Sequence, residues 1–182
     1  MAKKAQENEQ NVRGTAAQDD FSGPVGDEGI SMDTDFNVED EYKPDPLIPQ
    51  ATYHASVTKV VFDPDQQAIV WHFCLVDNGG VMSDGETPVD GATTVYRNWL
   101  PRPGDENELN ASGRATKRQS KINMLKQFSA GLGIDMSTPQ IIIAALSNQE
   151  WVGMNVDIAV TTREFEGKIF NEVKRVMRSS MI

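Results

Sequence analysis

The sequence predicts a mainly β chain of the α+β class, on three observations. Five short runs alternate polar and apolar side chains or are rich in β-branched residues. One stretch between the third and fourth runs repeats its apolar residues at helical spacing. The first 44 residues do neither, and read as a disordered acidic tail.

The elements follow in order. ATYHASVTKVVF (51–62) alternates and reads as a strand, and DPDQQ (63–67) has turn chemistry. AIVWHFCLVD (68–77) is a second strand, apolar on both faces over part of its length. A Gly/Asp-rich loop (78–91) leads to a third strand, ATTVYRNWL (92–100). PRPGDENELNASG (101–113) is a loop broken by prolines and glycines. In RATKRQSKINMLKQFSAGLG (114–133), Ile122, Leu125, Phe128 and Leu132 recur every three or four residues, and Gly131 and Gly133 supply the stop. Residues 135–146 predict a shorter helix, with Ser137 or Thr138 as cap and Pro139 in the first turn. WVGMNVDIAVTTREF (151–165) and KIFNEVKRVM (168–177) are strands four and five, joined at a Glu166-Gly167 corner where Gly167 supplies a positive φ. This order matches a five-stranded OB-like barrel with a helical insertion between strands 3 and 4. We place the tail and its Pro-rich linker, KPDPLIPQ at 43–50, in residues 1–46, and the OB-like domain in 47–182.

Composition narrows the function. Net charge is −10, but unevenly spread: residues 1–44 hold four Lys/Arg against eleven Asp/Glu, the remainder thirteen against sixteen. The acid describes the tail, so local patches decide what the domain binds. A single cysteine, Cys74, excludes an internal disulfide, and with no signal peptide the expectation is the cytoplasm. The longest apolar run, IIIAAL (141–146), is far too short for a membrane span.

Single-stranded nucleic acid needs cations along its phosphates and flat rings under its bases. Arg97 and Trp99 share a face of strand 3, and Arg102 follows in the loop. Lys168, Phe170 and Lys174 share a face of strand 5, and Arg163 and Phe165 precede the corner. We read Trp99, Phe170 and Phe165 as stacking platforms and the cations as a phosphate track. The competing reading makes the rings core and the cations ordinary solvated faces. Arg114, Lys117, Arg118 and Lys121 form a stripe on the helix, which either extends the track at Lys121 or is the polar side of an amphipathic helix.

Other constellations were weighed. His54, His72 and Cys74 are three potential zinc ligands on strands, where packing is the commoner use. The acids Asp63, Asp65, Asp77, Asp84 and Glu86 lack calcium-loop spacing. Asp157 with Glu172 and Lys174 mimics an Asp…Glu-x-Lys site for Mg²⁺-dependent cleavage. No Walker loop, nucleophile elbow or Rossmann glycine pattern is present, and no cofactor is expected.

PQATYHASVTKVVF, KRQSKINMLKQFSAGLGID, WVGMNVDIAV and EGKIFNEVKRV together resemble a family of phage-encoded proteins of single-stranded-DNA-binding or unknown function. The similarity covers about residues 47–177; one departure is that the family's opening glycine is Gln50 or Ala51 here. The resemblance implies an OB-like barrel and a role in viral DNA replication or recombination, and carries over Gly153, Gly167, Asn171 and Lys174. Asn171 also has a local rationale, since a strand Asn is disfavoured unless its amide is used, across the structure or on a base edge.

The expectation is therefore a non-enzymatic, sequence-tolerant single-stranded-DNA binder in a host cytoplasm. The acidic tail, with Phe36 and Tyr42, would compete for the groove, recruit replication or recombination proteins, or serve as a spacer. The alternatives are the nuclease and a non-catalytic interaction or virion-associated module. The oligomeric state stays open, a homo-oligomer included.

Overall fold

A computed structural model describes residues 37–180. The tail up to residue 36, and whatever role it has, lies outside the described residues. The chain divides into two units, Met1–Lys43 and Pro44–Ile182. In the described part of the first, the acidic run does not stay irregular: Val38–Glu41 forms one helical turn (α1), capped by the Asn37 side chain accepting from the Glu39 and Asp40 N–H groups.

The second unit is built on a five-stranded antiparallel sheet in the order β3-β2-β1-β4-β5. Strand β1 (Ala51–Asp63) is its hub. Its first half pairs with β4 (Asn155–Phe165) and its second half with β2 (Ala68–Leu75). Strand β3 (Thr93–Trp99) extends the sheet beyond β2, and β5 (Lys168–Arg178) beyond β4. The β3 and β5 edges approach each other, but no ladder joins them, so the sheet is curled and open.

A bulge in β1 sets which side chains face the core. Val57 opposes Phe73, but Lys59, not Thr58, opposes His72. Thr58 is the extra residue, and its hydroxyl donates to the His72 carbonyl at 3.2 Å. Before the bulge Tyr53, Ala55 and Val57 are buried; after it, Val60, opposite Trp71, takes the inward side. Strict alternation would have put Lys59 on the Val57 face, whereas the bulge turns it outward.

Two helices cover the inner face. α2 (Lys117–Leu132) starts at the Thr116 cap and ends at Gly133, whose φ of 71° is the left-handed C-cap. α3 (Pro139–Asn148) is capped by Thr138 with Pro139 in its first turn. Of the apolar stripe read from the sequence, Phe128 and Leu132 are buried, while Ile122 at the start of α2 is 38% exposed. Gly131 lies where α2 crosses β5: a Cβ there would sit 3.4 Å from the Val176 carbonyl oxygen.

Trp71 anchors the core. Its ring lies 5.0 Å from Phe128 and 5.1 Å from Trp151, and its Nε1–H donates to Asn98 Oδ1 at 2.8 Å. Tyr96 stacks on the other side of the Phe128 neighbourhood, at 5.3 Å and 4°. Tyr96 and Asn98 therefore point inward, and Val95, Arg97 and Trp99 outward.

The proline-rich approach is only half a linker. Leu47 N–H donates to Ser83 Oγ at 2.7 Å, and Ile48 is buried. Asn171 clamps Ile48 from both sides, its Oδ1 accepting from Ile48 N–H and its Nδ2 donating to Ile48 C=O, each at 2.8 Å. The amide thus works as one rung of a ladder, the intramolecular use of a strand Asn. Among the described residues, no helix is long and apolar enough to cross a membrane.

The Trp71–Asn98 bond gives a direct test. Asn98→Ala leaves the buried indole N–H without an acceptor and should destabilise the domain by about 1–3 kcal/mol, read as a lower urea midpoint with an unchanged slope.

Candidate nucleic-acid interface

The outer face of β1–β2–β3 follows from the registers. One row across it is Asp63–Ala68–Trp99, the next Val61–Val70–Arg97, the next Lys59–His72–Val95. Trp99 is 41% exposed, and Arg97 and Lys59 are also open to solvent. Asp63, at the strand end, turns its carboxylate back to accept the N–H groups of Asp65 and Gln66. The two rows holding Lys59, His72 and Arg97 contain no carboxylate. Half-burial, then the charges of Lys59 and Arg97, hold the His72 imidazole below the usual histidine range.

A second patch lies beyond the other end of β1. Its last pairing with β4 is Ala51–Val160, so Thr161–Glu172 continues as a two-stranded ribbon without a β1 neighbour. Gln50 braces its base by donating to Thr162 Oγ1 at 2.8 Å. At the tip Glu166 and Gly167 both take positive φ, 51° and 74°, as a primed two-residue hairpin turn requires. Arg163 stands opposite Phe170, and Phe165 opposite Lys168, so each ring has a cation across the ribbon on one face. Phe165 and Phe170 are 56% and 50% exposed. With Trp99 they are surface rings, not core.

The β3 and β5 edges approach each other at a seam covered by α2. Tyr96, Phe128, Lys174, Arg175 and Val176 line a cavity of about 700 Å³ there. Lys174 is the extra residue of a bulge in β5, where Ala159 opposes Arg175 and Val160 opposes Val173. Its ammonium pairs with Glu172 at 2.7 Å, in an exposed contact.

Two of the sequence-derived cations have architectural partners. Arg102 Nη2 donates to the Gln66 carbonyl at 2.5 Å and to the Asp65 carbonyl at 3.3 Å, stapling the loop after β3 onto the β1–β2 turn. Lys121 Nζ binds Asp105 Oδ2 at 2.7 Å, and both side chains are largely covered. With Lys117 on Glu108, this ties α2 to the loop that precedes it, around a short 3₁₀ turn at Asp105–Asn107. Two of the four stripe residues, Lys117 and Lys121, therefore hold the helix in place.

The sequence pattern gives neither Lys59 nor His72 a place on the nucleic-acid face. Lys59 carries the parity of core residues until Thr58 is counted as a bulge, and His72 stood only as a metal candidate. Arg175 joins them, brought to the seam by the second bulge.

Among the described residues, those singled out for metal or nuclease chemistry are not brought together. Asp157 opposes Met177, and Glu172 opposes Thr161. Four residues of β4 separate the two carboxylates, roughly 13 Å at the strand rise, too far to share one Mg²⁺. Asp157 is instead engaged with His54 Nδ1 at 3.2 Å and with the Ser180 hydroxyl and N–H at 2.7 and 3.0 Å. Burial alone would raise its pKa, but these hydrogen bonds outweigh it and hold the carboxyl below its ordinary value. Among the described residues no group of three or more His, Cys, Asp or Glu could hold a metal ion.

No protein-family model matches the chain, and no curated protein matches it.

The Asp105 staple has a pH signature. The hydrogen bond from Lys121, then the Arg102 N–H, lowers the Asp105 pKa. A depressed folded-state pKa stabilises above the unfolded value, about 3.9, and the gain is lost as pH falls through the folded value. Wild type should exceed Asp105→Asn in thermal stability at neutral pH, and the two should converge in acid. A gap that persists below the carboxylate range would assign the effect to packing.

Proposed function

We propose that this chain is a non-enzymatic, sequence-tolerant single-stranded-DNA binder of the OB type, acting in phage DNA replication or recombination in the host cytoplasm. One observation carries the reading: Trp99, Phe165 and Phe170 are all exposed, on strands, each beside a cation on the same face. Large rings left in water and interleaved with positive charge suit stacking on unpaired bases with phosphates alongside. The strand order supports the barrel, because joining the free β3 and β5 edges would close the five strands, and OB barrels are commonly part open. In this reading the strand lies over Trp99 and Arg97, passes Lys174 and Arg175 at the seam, and reaches the ribbon rings with Arg163 and Lys168. Lys59 adds a phosphate contact; Arg102 and Lys121 act by holding loops. The sequence resemblance to phage single-strand binders points the same way.

A second reading, a protein-interaction module, is favoured by an apolar groove of about 1150 Å³ between α2 and α3, lined by Ile122, Leu125, Ile142 and Ile143 and rimmed by Arg118 and Lys126.

Fluorescent oligo-dT separates the two. The chain should bind it with an affinity that falls steeply with salt, by a log–log slope of about −0.7 per phosphate contact. Trp99→Ala and Phe170→Ala should each weaken binding by about 1–3 kcal/mol at unchanged melting temperature. Absence of oligo-dT binding at low salt would reject the proposal in favour of the groove.

A further inference from the structure

The outer face holds a titratable group that a phosphate track does not require. His72 is half-buried on the outer side of β2, between the buried Val70 and the half-buried Cys74, directly opposite Lys59 of β1 and Val95 of β3. Arg97 stands one diagonal step away, opposite Val70. Directly opposite strand residues have Cβ atoms about 5 Å apart and diagonal ones about 7–8 Å, so both cations reach the imidazole's surroundings. The charged or titratable groups facing His72 are Lys59 from β1, Arg97 from β3 and Cys74 two residues along its own strand. The nearest acid on these rows' strands, Asp63, is at the far end and occupied by its own turn.

We infer that binding of single-stranded DNA to this face is coupled to uptake of a proton by His72. The inference rests on the single-stranded-DNA reading and adds regulation to it. In the free protein, partial burial and then the two flanking cations oppose an imidazolium and hold the ring's pKa below the ordinary histidine value. A backbone phosphate seated between Lys59 and Arg97 passes over His72. It neutralises the repulsion and offers an anionic acceptor to the ring N–H. The same ring then favours the charged form and becomes a third phosphate ligand. Linkage fixes the sign: a group whose pKa rises on binding makes binding tighter as pH falls. The effect is confined to the interval between the free and bound pKa values. Lysine and arginine side chains stay charged throughout the histidine range, so they do not mimic it. The Thr58 hydroxyl donates to the His72 backbone carbonyl, not to its ring.

The test uses the full chain and oligo-dT at constant ionic strength, from pH 5.5 to 8.5. The dissociation constant should fall as the medium is acidified, by up to tenfold per pH unit at the steepest point, and calorimetry in two buffers of different ionisation heat should register uptake of up to one proton. His72→Gln should flatten both. Imidazole NMR of the wild-type protein provides the check that needs no variant: the His72 resonance should titrate at higher pH in the complex than in the free chain. Binding that is independent of pH, a slope that persists in His72→Gln, or a His72 titration that does not move upward would each overturn the inference while leaving single-strand binding intact. Failure to bind oligo-dT at any pH would overturn the single-stranded-DNA reading itself and the inference with it.

Discussion

The structure turns on a single strand asked to serve two neighbours. β1 belongs to β4 over its first half and to β2 over its second, with only Ala55 and Ser56 paired to both. A flat strand could not make that handover and still keep one face in the core. The extra residue at Thr58 resolves the conflict by advancing the side-chain parity by one. Core duty passes from Val57 to Val60 without a polar residue being driven inside. The same step delivers Lys59 to the opposite surface, beside His72 and level with Arg97. A packing constraint and the chemistry of the outer face thus have one cause.

The surface rings make sense only against that background. The core already has its large aromatics around Trp71, with Phe128 tilted against it and Trp151 stacked on it, each about 5 Å away. Trp99, Phe165 and Phe170 lie outside it, each about half exposed. Leaving half of such a side chain in water forgoes part of the roughly 1.5–3 kcal/mol that full burial is worth, which argues for a use outside folding. Their companions are cations even though the chain is strongly acidic, because the excess of acid over base is concentrated in residues 1–44, eleven Asp/Glu against four Lys/Arg, while the remainder is near balance at sixteen against thirteen.

The strands and both helices were legible because each is regular over a length that local pattern can report. Thr138 with Pro139, and Gly133 after Leu132, mark their helix ends in the sequence itself. Trp151, read as the start of strand 4, instead packs on Trp71 in a turn before Asn155. What the sequence hid was register. A bulge leaves no composition signal, so neither Lys59 nor Arg175 could be assigned a face by counting in twos. Long cations were ambiguous for another reason: Lys121 and Arg102 have the same stems and charge as Arg97, and only their nearby partners, Asp105 and the Gln66 carbonyl, distinguish a staple from a free contact. Closure was also overread, since strand order cannot say whether two free edges meet or stop short around α2.

The clamp between Ile48 and Asn171 spans 123 residues of chain. During synthesis this rung cannot form until the last strand has left the ribosome and the two-residue corner before it has turned, although Ser83 can already hold Leu47 of the approach. Translation therefore runs through nearly the whole domain before its two ends can be locked together, and the apolar strands β1 and β2 wait exposed in the meantime. The rung that ties the approach to the sheet is therefore made late, by an asparagine that reaches back across almost the whole domain.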